Sequence, residues 1–295
     1  MLRPTFDLYA LRSFVQGVEL GSFARAAERL GRSTSAVSAQ LKKLEDQVGA
    51  PILRKSGRGT TLTDTGEILL GYARRLLELN DEAASAVRGT GLEGWVRLGL
   101  QEDFGETLLP EVLGQFARAH PKVRIEARIA RNVELLERIT DGSIDLALAW
   151  QAGVTSPHAT SVGTLPMRWL GAVGGRDLLH ADEPLPLVVL DAPCIMRTAA
   201  TNALDRAGIP WRIAFVSPSL SGVWAAVAAG LGLTVRTRAG LPLSLNMLDD
   251  ERLPALPELG LALHRADADP APATRRLGEL LLEHAASFCA VQGAS

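Results

Sequence analysis

The sequence predicts an α/β protein headed by a small all-α, winged helix-turn-helix domain, on three observations. Residues 22–49 hold two short helical patterns separated by a Gly-containing turn, and a basic hairpin-like stretch follows them to Leu62. From Val96 onward, short apolar or alternating segments exchange with segments of helical period, as in sheets flanked by helices. Between these regions, residues 65–88 read as one long helix.

In the head, Ser22 supplies a capping hydroxyl, and Phe23, Ala26, Ala27 and Leu30 follow at helical spacing until Gly31, which can take the left-handed conformation that ends a helix. Ser33 caps the next helix, where Val37, Leu41, Leu44 and Val48 form one buried stripe and leave Ser35, Ser38, Ala39 and Lys42 outward. A helix with small polar residues near its start fits a DNA major groove. Thr34, Ser35 and Ser38 are the expected base-edge or phosphate contacts, with Ser22, Ser33, Ala39 and Lys42 beside them. The stretch Leu53–Leu62 sets Arg54, Lys55 and Arg58 around two glycines and can reach a phosphate backbone; alone, such a charge run is more often a solvated turn.

Charge is divided along the chain. Residues 1–62 carry 10 Lys and Arg against 5 Asp and Glu, and the remaining 233 carry 21 against 28. A near-neutral total thus hides a basic head on an acidic body, which confines attraction for phosphates to the head.

These residues resemble a known family. Ala26-Ala27, Leu30, Ala36-Val37-Ser38, Gln40-Leu41, Leu44-Glu45, Val48-Gly49, Ser56-Gly57-Arg58-Gly59, Leu62-Thr63 and Gly66 are similar to the winged helix-turn-helix of LysR-type transcriptional regulators. The likeness continues more loosely through Leu109-Pro110, Phe116, His120-Pro121, Gly142, Ile144-Asp145-Leu146-Ala147 and Ala228-Ala229-Gly230-Leu231-Gly232. It departs at Thr34-Ser35, where Gln-Pro or Gln-Ser is usual, at Ala39 where Arg is common, and at Leu53 and Lys55 where Phe and Arg are usual. No operator sequence carries over.

The resemblance implies a cytoplasmic, sequence-specific regulator with four expected partners: double-stranded promoter DNA, a small-molecule effector, a second copy of itself in a dimer or tetramer, and RNA polymerase. It divides the chain into a DNA-binding domain (1–64), a linker helix (65–90) and an effector module (91–295). Within the module, lobe 1 comprises 91–165 and 265–295 and lobe 2 comprises 166–264, resembling type 2 periplasmic binding proteins. The linker helix would pair with its counterpart in a second subunit; packing against its own head is the alternative. Thr90-Gly91-Leu92-Glu93-Gly94 breaks the helix as a hinge.

Strands are expected at 96–100, 123–129, 145–150, 168–173, 187–190, 213–216, 233–236 and 259–264, and helices at 108–119, 135–140, 199–207, 221–229 and 273–290. The resemblance implies a cleft beyond Leu100, Trp150, Met196 and the start of the Ser221 helix, at strand C-termini where open α/β sheets bind ligands, and with it Gln101, Glu102, Asp103, Gln151, Arg197, Thr198, Ser219, Ser221 and Arg236 as effector contacts. Many relatives carry a hydroxyl at the first of these places and bind a carboxylate there, whereas this chain carries Glu102 and Asp103. Two anions disfavour a third, so the ligand is not expected to be a simple carboxylate held by the first lobe. Arg197 or Arg236 would reach across to Glu102 or Asp103; Asp103 capping its own helix is the competing reading.

Other classes find little support. The chain has no GxSxG, Walker loop, HExxH or GxGxxG after a strand, and its five histidines (His120, His158, His180, His264, His284) include no i, i+4 pair. It is read as no enzyme, without cofactor or metal. Cys194 and Cys289 read as buried small apolar residues rather than redox sensors, and Trp150, Trp169 and Trp224 as core. No apolar run approaches the ~20 residues of a membrane span, and no signal peptide is expected. A solute-binding protein would have no use for the basic head, and an effector-independent architectural DNA-binding protein would leave two lobes unexplained. Arg58→Ala is expected to weaken binding to all duplexes and flatten its salt dependence, whereas Ser35→Ala relaxes preference among sites; equal effects of both on random DNA would contradict these assignments.

Overall fold

The computed structural model describes residues 5–56, 59–88, 92–105, 107–151, 156–175, 177–179 and 183–293. The chain divides into two compact units, 1–90 and 91–295. Arg58 of the basic loop, Thr90-Gly91 of the expected hinge and His180 lie outside the described residues.

The first unit opens with a helix the sequence reading did not include, α1 (Leu8–Glu19). Asp7 caps it by accepting from the Tyr9 N–H at 2.9 Å, and Lys43, at 2.7 Å, is the main cause that holds the Asp7 carboxyl below its ordinary pKa. Helix α2 (Phe23–Arg29) starts at Ser22, whose hydroxyl accepts from the Arg25 N–H. Helix α3 (Thr34–Val48) starts at Ser33 and ends at Gly49, which has φ 76°. Phe23 packs so tightly on the backbone of α1 that a Cβ on Gly17 would lie 1.9 Å from its ring. Strands β1 (Leu53–Ser56) and β2 (Gly59–Leu62) form an antiparallel hairpin, pairing Leu53 with Leu62 and Lys55 with Thr60.

Helix α4 (Asp64–Arg88) begins directly behind this hairpin. Thr63 donates its backbone N–H to the Ile52 carbonyl and its hydroxyl to that of Pro51. A Cβ at Gly66 would stand 2.1 Å from the Ile52 oxygen, so only glycine permits this approach. One face of the long helix packs against its own head, the alternative reading, and the other face is exposed. Leu69, Ala73 and Leu77 join Leu11, Phe14, Leu44 and Ile52 in the head's core, while Ile68, Tyr72, Leu76 and Leu79 are exposed.

In the second unit, lobe 1 is a five-stranded sheet in the order β4-β3-β5-β12-β6. Strands β3 (Gly94–Leu100), β4 (Val123–Ile129) and β5 (Leu146–Trp150) are parallel, and β12 (Glu258–Arg265) runs antiparallel to β5 and to β6 (Thr160–Pro166). Helices α5 (Glu102–Gly105), α6 (Leu109–Ala119), α7 (Asn132–Thr140) and α10 (Pro272–Gly293) complete it. Every residue of β5 is buried. Leu146, Leu148 and Trp150 face the main core, whereas Ala147 and Ala149 face α7 residues Leu135 and Ile139; a strand covered on both faces reads as an unbroken apolar run.

Lobe 2 contains β7 (Arg168–Ala172), flanked by β10 (Thr234–Arg236) and β11 (Leu245–Met247), and the parallel pair β8 (Leu185–Leu190) and β9 (Trp211–Ser217). Bonds from Val188 N–H to the Leu233 carbonyl and from Leu233 N–H to the Pro186 carbonyl join the two groups of strands. Helices α8 (Ile195–Ala207) and α9 (Leu220–Ala228) pack on it. The boundary expected at residue 264 is corrected: β12 is built into the sheet of lobe 1, so lobe 2 ends before Glu258. The short α5 and β11, and β6 with its glycine interruption, were not anticipated.

His264, on β12, is fully buried; its Nδ1 lies 3.0 Å from the Ser156 hydroxyl, and its Nε2 meets no partner among the described residues. Burial pushes its pKa below the ordinary 6.5, so the unfolded chain takes up the proton first. The stability that follows is present above pH 6.5 and falls as pH drops from there toward the folded value. The urea midpoint is expected to fall between about pH 7.5 and about pH 5.5, and His264→Gln to lessen that fall; an unchanged pH dependence in the variant would assign it elsewhere.

Candidate DNA interface and effector cleft

On α3, Val37 and Leu44 are buried and Thr34, Ser35, Ser38, Ala39 and Lys42 exposed, because the apolar stripe commits one face to the head's core. Ser22 and Ser33 spend a lone pair on helix capping but keep a hydroxyl proton to donate. Ser33 also lies 2.9 Å from the Ser35 hydroxyl. Arg54 and Lys55 are exposed on β1, Arg54 reaching the Thr61 hydroxyl at 3.4 Å. Arg25, Arg29 and Arg32 add exposed cations that the sequence reading passed over. Lys43, by contrast, is engaged by Asp7. The first unit thus carries a polar helix face of small residues and, on its hairpin, exposed cations.

In the second unit a cleft of about 430 Å³ lies between the lobes. Its walls come from the ends of β3, β5, β8 and β10 and the start of α8, as expected for strand C-termini. Gln101, Glu102, Asp103, Thr198 and Arg236 line it as expected, and Trp150, read as core, forms part of its wall while only 3% exposed. Arg131, Asn132, Val133, Leu190, Pro193, Cys194, Ile195 and Met196 complete the lining. Cys194 is therefore a half-buried wall residue, against the expectation of a buried one, whereas Cys289 is buried.

Four expected contacts do not reach the cleft wall. Arg197 borders a separate small hollow and donates to the Leu190 carbonyl. Ser219 caps α9, accepting from the Gly222 N–H, and lies 3.2 Å from the Ser221 hydroxyl. Gln151 is bonded through its backbone to Gly260, against which its side chain also rests.

Two sets of polar contacts cross between the lobes. Arg236 of β10 donates to Asp103 of α5 at 2.5 Å, with side chains 6% and 0% exposed, and the Trp150 indole donates to the other Asp103 oxygen at 3.4 Å. The adjacent Glu102 accepts from the backbone N–H of Leu220 at the start of α9, at 2.7 Å. Across the opening, Arg131 pairs with the Asp191 carboxylate and donates to the carbonyls of Asp191 and Pro193. Arg131 had no sequence signal, since nothing local distinguishes it from any other surface arginine.

The architecture defines a two-part protein, a winged helix-turn-helix joined to a two-lobed ligand-binding module, and the comparisons agree. Residues 8–67 match the model "Bacterial regulatory helix-turn-helix protein, lysR family" and residues 89–286 the model "LysR substrate binding domain". The chain belongs to the LysR family of DNA-binding transcriptional regulators. It is 38% identical over 267 residues to the HTH-type transcriptional regulator DgdR of Burkholderia cepacia, covering 89% of this chain and 88% of the relative. It is 37% identical over 253 residues to PecT of Dickeya dadantii, covering 85% and 79%. In fold it is similar to HinK, a LysR family regulator of Pseudomonas aeruginosa, with a TM-score of 0.54 and 23% identity over 96% of this chain and 100% of that one. It also resembles Vibrio fischeri DarR, solved in complex with DNA, with a TM-score of 0.54 and 18% identity over 94% and 99%.

Breaking a buried ion pair by removing one partner costs about 3–5 kcal/mol, because the other charge stays buried. Asp103→Asn is expected to lie at the lower end, near ~3 kcal/mol, since the amide still accepts from Arg236. All five tryptophans lie in 91–295, so tryptophan fluorescence during urea unfolding reports that unit alone; a loss under ~0.5 kcal/mol would remove the pair from any structural role.

Proposed function

We propose that the exposed face of α3 enters the major groove of promoter DNA, with Thr34, Ser35, Ser38 and Ala39 at base edges or phosphates, while Ser22, Ser33, Lys42, Arg54, Lys55 and Arg58 hold the backbone. The observation that carries this reading is the conjunction of a small-residue polar helix face with a cationic hairpin on one compact unit. Phosphate contacts position a protein on a duplex and base contacts specify the site.

The cleft between the lobes is the effector site, and a small molecule that binds one lobe arrangement better shifts the population toward it. DNA bending or contact with RNA polymerase then reads out the shift. The exposed Ile68, Tyr72, Leu76 and Leu79 of α4 support self-association in a dimer or tetramer, which would present two heads to a two-fold related site. No helix among the described residues is long and apolar enough to cross a membrane; the regulator reading places the protein in the cytoplasm, without catalytic activity.

Purified protein is expected to protect a discrete segment near its own gene's promoter, with log affinity falling linearly against log salt. Uniform coating of unrelated duplexes would favour an architectural role. Absence of any salt-sensitive affinity for double-stranded DNA would remove the regulator reading altogether.

A further inference from the structure

The cleft is largely apolar, walled by Trp150, Leu190, Ile195 and Met196, with a volume suited to a small molecule. Its charged groups are mostly matched within the protein. Arg236 is paired with Asp103 and Arg131 with Asp191. Glu102 is different. Its carboxylate accepts the Leu220 N–H at the start of α9, but among the described residues it meets no guanidinium or ammonium. The place where a helix N-terminus would receive an anion is thus filled by the protein's own side chain, and that carboxylate meets no cationic side chain among the described residues.

We propose that Glu102 is the specificity-determining group of this cleft, and that the ligand is a small apolar amine whose ammonium sits beside Glu102. A ligand carboxylate finds both guanidinia already engaged and Glu102 repelling it. An ammonium on an alkyl body finds an unneutralised carboxylate bordering an apolar wall, where opposite charges attract more strongly than in water. This rests on the cleft being the effector site.

Calorimetric titration of the full chain with n-pentylamine, 1-pentanol and pentanoate separates the chemistries. The amine is expected to bind at least about tenfold more tightly than pentanoate, with the alcohol between them. Glu102→Gln, which can still accept from Leu220, is expected to cost the amine about tenfold and to leave the alcohol unchanged. Pentanoate binding as tightly as the amine, no saturable binding of the amine, or an amine affinity indifferent to Glu102→Gln overturns the proposal. Should that variant fail to fold, the order among the three ligands on the wild-type chain decides. Duplex binding by the wild-type chain, measured separately, tests the regulator reading: salt-sensitive DNA affinity with no amine preference removes only the ligand assignment.

Discussion

The Asp103–Arg236 ion pair is the contact on which the cleft depends. A carboxylate with no exposed surface is costly to hold away from water unless a cation and hydrogen bonds meet it, and here a guanidinium from one lobe and an indole N–H from the other satisfy it. Because the partners belong to α5 and β10, on opposite lobes, the pair ties one arrangement of the lobes to charge neutrality in the interior. Arg131 extends the same logic through its pair with Asp191, and Glu102 adds a hydrogen bond from the Leu220 N–H between the lobes. Any rearrangement that parts the lobes must rehydrate or re-pair these groups together, and such coupling favours two discrete states over a continuum.

The head is governed by division of labour between the faces of short helices. Only one side of α3 is taken by the core, and caps at Ser22 and Ser33 satisfy the helix ends without burying polar groups. Exposed cations therefore remain on the outside, while Asp7 withdraws Lys43. The acidic excess of the remainder keeps nucleic-acid attraction local to this surface.

Local signals were legible and distant partnerships were not. The stripe Val37, Leu41, Leu44, Val48, its caps and Gly49 read directly as α3, and the doubly buried β5 read as an apolar run. The pattern Leu11, Phe14, Val15, Val18 behind Asp7 carries the same helical period and cap and forms α1. Helix α5 and strand β11 span four and three residues, too short for either period to register. In the cleft, the first-lobe carboxylates and Arg236 followed from the expected strand ends, and a cross-cleft pair was one of two readings for them. Which arginine would answer Asp103, 133 residues away, could not be read from spacing. Ser219 and Ser221 are drawn into capping α9, a local competition that residue type alone does not reveal, and Gln151 rests against Gly260 on the neighbouring strand.

The contact of Gly66 with the Ile52 carbonyl reaches beyond local packing. It seats the foot of a 25-residue helix, about 37 Å long, directly on the base of the hairpin. With no side chain between them to yield, the two behave as arm and pivot of a lever. A tilt imposed at the far end of α4 would be delivered to the hairpin as rotation rather than dissipated in a soft joint, swinging its exposed cations with it.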